Sequence, residues 1–416
     1  MHMPKGFDAV VIGAGTFGAW TALHLRRRGL RVALVDAHGP AHNRASSGGE
    51  SRIIRMGYGQ NEIYTRSSMR ALPRWQELFA LTGQPLFHRT GVVWLGRDAD
   101  HAGGSYLARS LATFERLGVP HQTLSRPELT RLYPQIALNE SISWGLLEPE
   151  SGVLMARRAV AAVVEQAVRE GVECQHAAVI PPAAPEGATR LEEVQVEDGQ
   201  SITAITAIRA IRLALDAAPS GAGGAHGSGV FVFACGPWLG KLFPDLLGDR
   251  IFNTRQEVFF FGVPPGDTRF RPPALPTWID LAEEAYGMPG LDSRGLKLAI
   301  DRHGPGFDPD TGSRLPTAEG ISQASQYLAK VFPALAGAPV VESRVCQYEN
   351  TSSGDFLLDR HPTLQNVWLA GGGSGHGFKH GPSVGEYLAG QILDGGPSEP
   401  RFSLETKQAV QHRAIF

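Results

Sequence analysis

Cysteine is scarce in this 416-residue chain, which holds Cys174, Cys235 and Cys346 alone. An odd number without ligand-like spacing excludes a disulfide framework and gives no zinc motif. Charge of one sign is lacking as well. Lys and Arg total 39 against 41 Asp and Glu, a net −2, so no nucleic-acid or polyanion partner is expected. The one basic run, Arg26-Arg27-Arg28, falls in the last turn of a helical stretch, where cations suit the helix dipole. No apolar run approaches membrane-spanning length. The first strand-like run begins by about Phe7, which leaves no room for a signal peptide. A soluble, cytoplasmic protein without a metal is expected. Its length allows two domains and a large core.

Glycine, by contrast, is plentiful. With 50 glycines, chance matches to glycine motifs are expected. One match has more than spacing behind it. The buried strand-like run Ala9-Val10-Val11-Ile12 enters Gly13-Ala14-Gly15-Thr16-Phe17-Gly18, a helix follows to about Arg28, and a second strand, Val32 to Val35, ends on Asp36. This is a dinucleotide fingerprint in its full strand–helix–strand context. Gly13 makes the tight turn and Gly15 admits a pyrophosphate to the helix N-terminus. Gly18 lets helix and strand pack closely, and Asp36 is placed to accept hydrogen bonds from an adenosine ribose. The pattern does not separate FAD from NAD.

A second glycine cluster lies near the other end. Val367-Trp368-Leu369-Ala370 runs into Gly371-Gly372-Gly373-Ser374-Gly375-His376-Gly377-Phe378-Lys379-His380-Gly381, with a helix start at Pro382. Such a loop lets backbone N–H groups approach an anionic or carbonyl-rich ligand. Nucleotide signals at both ends imply a discontinuous binding domain with a second domain built over the ligand. The expected division is 1–85, 146–250 and 340–416 for cofactor binding, and 86–145 with 251–339 for substrate. Helical periodicity predicts helices over 62–81, 106–117, 156–170, 317–332 and 383–393. Strand-like runs cover 91–95, 230–234, 258–263, 277–281 and 296–300. The stretches Pro181–Pro185 and Pro219–Gly229 are small-residue surface loops in this reading.

Four motifs in order carry a resemblance. They are Gly13–Gly18, Ser51-Arg52-Ile53-Ile54-Arg55, Gly295-Leu296-Lys297, and the block from Cys346 to Lys379. Over nearly its whole length the chain resembles the monomeric sarcosine oxidase and N-methyltryptophan oxidase group of FAD-dependent amine oxidases. The resemblance implies a D-amino-acid-oxidase-like α/β fold, with a Rossmann-like FAD domain and a mixed β-sheet substrate domain. It implies a monomer acting on a small-molecule amine and O2, and FAD tethered through a thioether to Cys346 of Cys346-Gln347-Tyr348. A thiolate beside an electron-poor flavin can attack its activated methyl position. Cys174 and Cys235 are expected to be small buried hydrophobes.

By the same resemblance, Arg55 and Lys379 bind the substrate carboxylate, and arginine suits bidentate recognition of that group. Arg52 lies against the flavin. An ion pair of these arginines with Glu50 is the structural alternative. Lys297 sits inside an apolar run, where a lysine must be paired, functional or snorkelling from an edge strand. The resemblance places it beside the flavin, promoting electron transfer to O2. Tyr286 and Tyr348 match substrate-side tyrosines. The expected cofactor contacts are Gly13, Gly15, Thr16, Phe17, Gly18, Asp36, Ser46, Ser47, Arg52 and Cys346, then Gly373, Gly375, His376, Gly377, Phe378 and Lys379.

Two departures bear on the substrate. Asp301 stands where sarcosine oxidases carry a histidine, and Gly48 replaces another histidine. An acid near Lys297 is similar to the arrangement in fructosyl amino acid oxidases. The expected reaction is oxidation of a C–N bond in a secondary amine or amino acid to an imine, with H2O2 formed. A fructosyl amino acid oxidase or a flavin amine dehydrogenase is the alternative.

Overall fold

Runs of four consecutive buried apolar residues, such as Ala9–Ile12 and Val32–Val35, need cover on both faces. A parallel sheet flanked on both sides provides it. The computed structural model, which describes residues 7–197 and 229–411, shows that arrangement. Six strands lie in the order Leu357–Arg360, Val367–Gly371, Val230–Phe233, Ala9–Ile12, Val32–Asp36, Glu173–His176. All neighbours are parallel except the first pair. Val11, Leu34 and Val232 face one core, and Val10, Val35 and Phe231 face another. The first core is closed by helices Thr16–Arg27, Glu62–Thr82, Ala156–Arg169 and Gly381–Asp394, with the Trp20 and Trp75 rings packed edge to face at 5.1 Å.

A second sheet has eight strands, ordered Val340–Asn350, Phe252–Phe261, Leu296–Ile300, Ala285–Met288, Thr277–Asp280, Val92–Gly96, Trp144–Glu148, Gln122–Ser125. It is mixed, since Thr277–Asp280 runs parallel to Val92–Gly96 while the other pairs are antiparallel. One face packs Phe259, Leu296 and Leu298 against helix Ala318–Val331. The alternation of strand side chains therefore sends Lys297 to the opposite face. A small third sheet joins Arg52–Ile54 to Gly152–Leu154 and Phe87–His88.

The expected α/β class with a mixed second sheet holds. The expected helices all form within a few residues of their predicted ends, Tyr106–Leu117 without any shift. Thr317 caps its helix rather than joining it, its hydroxyl accepting from Gly320 N at 3.0 Å. Pro73 lies inside Glu62–Thr82 without ending that helix. The small-residue stretch 181–185 has no regular structure. Most of the second stretch, up to 228, lies outside the described residues. Two cysteine readings are corrected: Cys174 is exposed, on the outermost strand of its sheet, and Cys235 is half-buried at a strand end. Among the described residues no helix is long and apolar enough to cross a membrane. No cluster of three or more His, Cys, Asp or Glu among them could hold a metal ion.

Candidate active site

The carboxyl ends of the parallel strands open onto a cavity of about 470 Å³. Its wall includes Gly13, Gly15, Thr16, Phe17, Asp36, Ser46 and Ser47 from the N-terminal part. Gly373, Gly375, Gly377 and Phe378 come from the C-terminal cluster. Gly13 has φ +99°, and a Cβ there would come within 2.3 Å of Ala234 O. The turn therefore requires glycine and leaves the N-terminus of helix Thr16–Arg27 facing the cavity. A Cβ on Gly18 would lie 1.8 Å from Gly13 O, so Gly18 sits behind the turn and not on the wall. Asp36 is pinned by Ala14 N at 2.7 Å and His38 N at 2.8 Å. The buried Ser46 Oγ has no partner. A helix N-terminus, glycine cradles, an acid at the strand end and an orphaned hydroxyl fit a dinucleotide.

A smaller cavity of about 160 Å³ adjoins it and shares Arg52, Tyr348, Gly375 and Phe378. Its wall brings together Arg55, Tyr286, Asp301, His376 and Lys379. Arg55 is 5 % exposed and Lys379 is 4 % exposed. Both face Tyr58: the Arg55 guanidinium stands 4.4 Å from its ring centroid, and Lys379 Nζ donates to its hydroxyl at 2.8 Å. The guanidinium also lies over the Trp94 ring, 4.8 Å from its centroid, and Arg55 donates to Gly57 O and to Tyr106 OH at 3.3 Å. Burial, and next the Arg55 charge, push the Lys379 ammonium well below the usual lysine range. Tyr348 OH donates to Asp301 Oδ1 at 2.6 Å, which fixes the acid on the cavity wall.

Arg52 stands at the junction. It donates to Ser51 O at 2.9 Å and Ser46 O at 2.8 Å, and its Nη2 lies 3.2 Å from Cys346 Sγ. Burial raises the Cys346 thiol, but Arg52, then Arg344, outweigh it and hold the group below its ordinary value. Lys297 is 1 % exposed, and its Nζ donates to Ser51 O at 2.8 Å. Its strand is paired on both sides, to Phe252–Phe261 and to Ala285–Met288, so it is not an edge-strand lysine. Burial, then Arg52, push its ammonium well below the usual range. Cys346 and Lys297 stand just behind the cavity walls, each joined to them through the Ser51–Arg52 segment. Glu50 pairs with Arg157, Arg158 and Arg294, not with Arg52 or Arg55.

Sequence reasoning missed four residues here. Tyr58 spaces the two cations. Glu148 accepts from Met56 N at 2.6 Å and Gly57 N at 3.1 Å, holding the turn after Arg55. His380 joins Tyr58 OH at 2.8 Å. Glu349 enters the larger cavity from the second sheet. Tyr58 alone left a signal, as an aromatic three residues beyond Arg55; Glu148 meets its partners only through the fold.

A dinucleotide cleft at the strand ends, continuous with a small cation-lined chamber under a mixed sheet, is the arrangement of a dinucleotide-dependent oxidoreductase. Residues 8–391 match the family described as FAD dependent oxidoreductase, and the chain belongs to that family. It is 30 % identical over 405 residues to monomeric sarcosine oxidase of Streptomyces avermitilis, covering 96 % of each chain. It is likewise 30 % identical to N-methyl-L-tryptophan oxidase of Salmonella arizonae, covering 94 % of this chain and 96 % of the relative. Among solved structures, L-proline dehydrogenase from P. horikoshii shares the fold with TM-score 0.77 at 20 % identity, covering 97 % of this chain and 98 % of the other. Amadoriase I from Aspergillus fumigatus shares it with TM-score 0.71 at 22 % identity, covering 94 % and 87 %.

Proposed function

We propose that the chain oxidises the C–N bond of a small secondary amine or amino acid (N-methyl, cyclic imino or related) to an imine, with O2 reduced to H2O2. One observation carries the reading: two buried cations from distant parts of the sequence, Arg55 and Lys379, meet in a small chamber that opens onto the dinucleotide cleft. A substrate carboxylate satisfies both. Arg55 offers a planar fork, and Lys379 a point charge that an arriving anion drives back toward its protonated form. FAD held by Gly13, Gly15, Arg52 and Gly373 would supply the two-electron sink for oxidation of the C–N bond, with O2 as the final acceptor. The side chains do the rest by positioning and by charge, and the imine product hydrolyses in water. Tyr286, Tyr348 and Asp301 border the amine end.

Arg52 would lie against the bound flavin, and its guanidinium lowers the Cys346 thiol, which supports covalent attachment there. Lys297, next to Arg52, is the cation that favours electron transfer to O2 once an anionic group nearby restores its charge. For the chain as a whole we propose a cytoplasmic monomer. Residues 1–85, 146–250 and 340–416 are assigned to FAD, and 86–145 and 251–339 to the substrate. Asp301 on the chamber wall favours one second reading, a fructosyl amino acid substrate whose amino or sugar end meets that carboxylate.

The test is a panel of amines with peroxide detection: sarcosine, pipecolate, proline, N-methyl amino acids and fructosyl amino acids. Turnover of at least one carboxylate-bearing amine with stoichiometric peroxide is expected. Flavin reduction by substrate without peroxide would replace the oxidase by a dehydrogenase using another acceptor.

A further inference from the structure

One acid in the larger cavity has no part in the reaction just described. Glu349 belongs to Val340–Asn350 of the eight-stranded sheet, yet its side chain reaches across to the six-stranded one. Its carboxyl lies between the carboxyl ends of two parallel strands. A Cβ on Gly371 would lie 2.3 Å from Oε1, and one on Gly236 would lie 3.9 Å from Oε2. Glu349 is 6 % exposed, and it lines the same wall as Gly13, Gly236, Gly373 and Ser374. Oε1 has no hydrogen-bond partner. A buried polar atom left unpaired is costly unless a ligand or water completes it. Here Oε1 is sealed from solvent beside Gly371, and Glu349 as a residue borders the dinucleotide cavity.

We propose that Glu349 is a cofactor-binding residue that holds FAD in its neutral carboxylic-acid form, donating its O–H to an acceptor oxygen of the bound cofactor. The reading rests on FAD occupying this cavity. An ionised carboxylate on a wall shared with the fingerprint turn would face the cofactor's own negative charge. A neutral acid adds a donor without that repulsion. Burial raises the Glu349 carboxyl to about 8, and the nearby Gly372 and Gly373 backbone N–H groups oppose it without forming a hydrogen bond to Oε1. The titratable group facing it from the neighbouring turn is Cys235, itself raised well above the usual thiol range by burial, Asp36 and Glu349. No charged side chain on the other packed elements, Phe252–Phe261 and Val367–Gly371, acts on it. The sign follows: the donating form dominates below that value and is lost above it, so cofactor retention weakens as pH rises.

The test uses the full chain carrying Cys346→Ala, so that FAD binds reversibly, with the dissociation constant read from flavin fluorescence between pH 6.5 and 9.5. The affinity should fall about tenfold from pH 7 to pH 9, the linkage expected of one proton lost near 8. Cys346→Ala/Glu349→Gln, whose amide still donates, should bind without that slope. A flat or tightening profile in Cys346→Ala, or an unchanged slope in the double variant, overturns the proposal and leaves the flavin reading standing. Absence of flavin binding at every pH overturns both. Should the double variant fail to fold, infrared spectra of the FAD-loaded native chain with isotope-labelled glutamate decide. A labelled carboxylic-acid band that disappears at high pH supports the assignment, and its absence overturns it.

Discussion

Lys297 shows how much one residue's surroundings decide. In sequence it is a charge between Leu296 and Leu298; in the structure it is an interior-strand ammonium bonded to Ser51 O at 2.8 Å and all but sealed from water. Replacing it with Met removes the cation assigned above to the proposed site of oxygen reduction. Reoxidation of reduced flavin by O2 should slow by about 10² or more, the scale of one preorganised electrostatic contact, while anaerobic reduction by substrate suffers less. Stopped-flow measurement of the two half-reactions separates them, and equal losses in both would remove the assigned role. Cys346 gives a second expectation. Arg52 at 3.2 Å favours the thiolate, so covalent flavin incorporation by apoprotein should rise with pH and level off below the ordinary thiol range. In Arg52→Met that inflection should move to higher pH. An inflection that stays put means that the guanidinium does not activate the thiol.

At the scale of elements, the first strand, helix and strand were legible because local pattern and tertiary demand agree there. Gly18 is the sharpest case. Its missing side chain lets helix Thr16–Arg27 sit against the Gly13 turn, where a Cβ would lie 1.8 Å from a backbone oxygen. Gly18→Ala should displace that helix and lower flavin bound per polypeptide, read from absorbance of purified protein; full flavin content would contradict the packing argument. Other elements were not legible. Val340–Asn350 carries Glu342, Arg344 and Glu349, so it has no apolar run to mark it, and its stability comes from pairing with Phe252–Phe261 along most of its length. Phe252–Phe261 itself begins six residues before the predicted 258, because its buried positions Thr254 and Gln256 are polar, which removes the apolar half of the strand alternation. Tyr58, Glu148 and His380 find their partners through contacts far apart in sequence, which no local window contains.

The whole molecule places a dinucleotide cleft on one sheet and a small chamber beneath another, with Arg52 and Tyr348 on both walls. The two nucleotide signals, Gly13–Gly18 and the Gly371–Gly377 cluster, were readable as parts of one site because each carries its own backbone requirement. The chamber's basic side chains were readable through the Arg52–Arg55 and Lys379 motifs, and its geometry was not. The central claim is that this chamber selects an amine by its carboxylate. The most direct measurement is anaerobic bleaching of the flavin by an N-methyl or cyclic amino acid and by its decarboxylated amine, in the native chain and in Arg55→Met. The account predicts that the acid binds the native chain far more tightly than the amine, and that Arg55→Met weakens the acid by roughly 10- to 150-fold while changing the amine little, the cost of one charge-assisted contact. Equal affinities in the native chain, or equal losses for acid and amine in the variant, would contradict it.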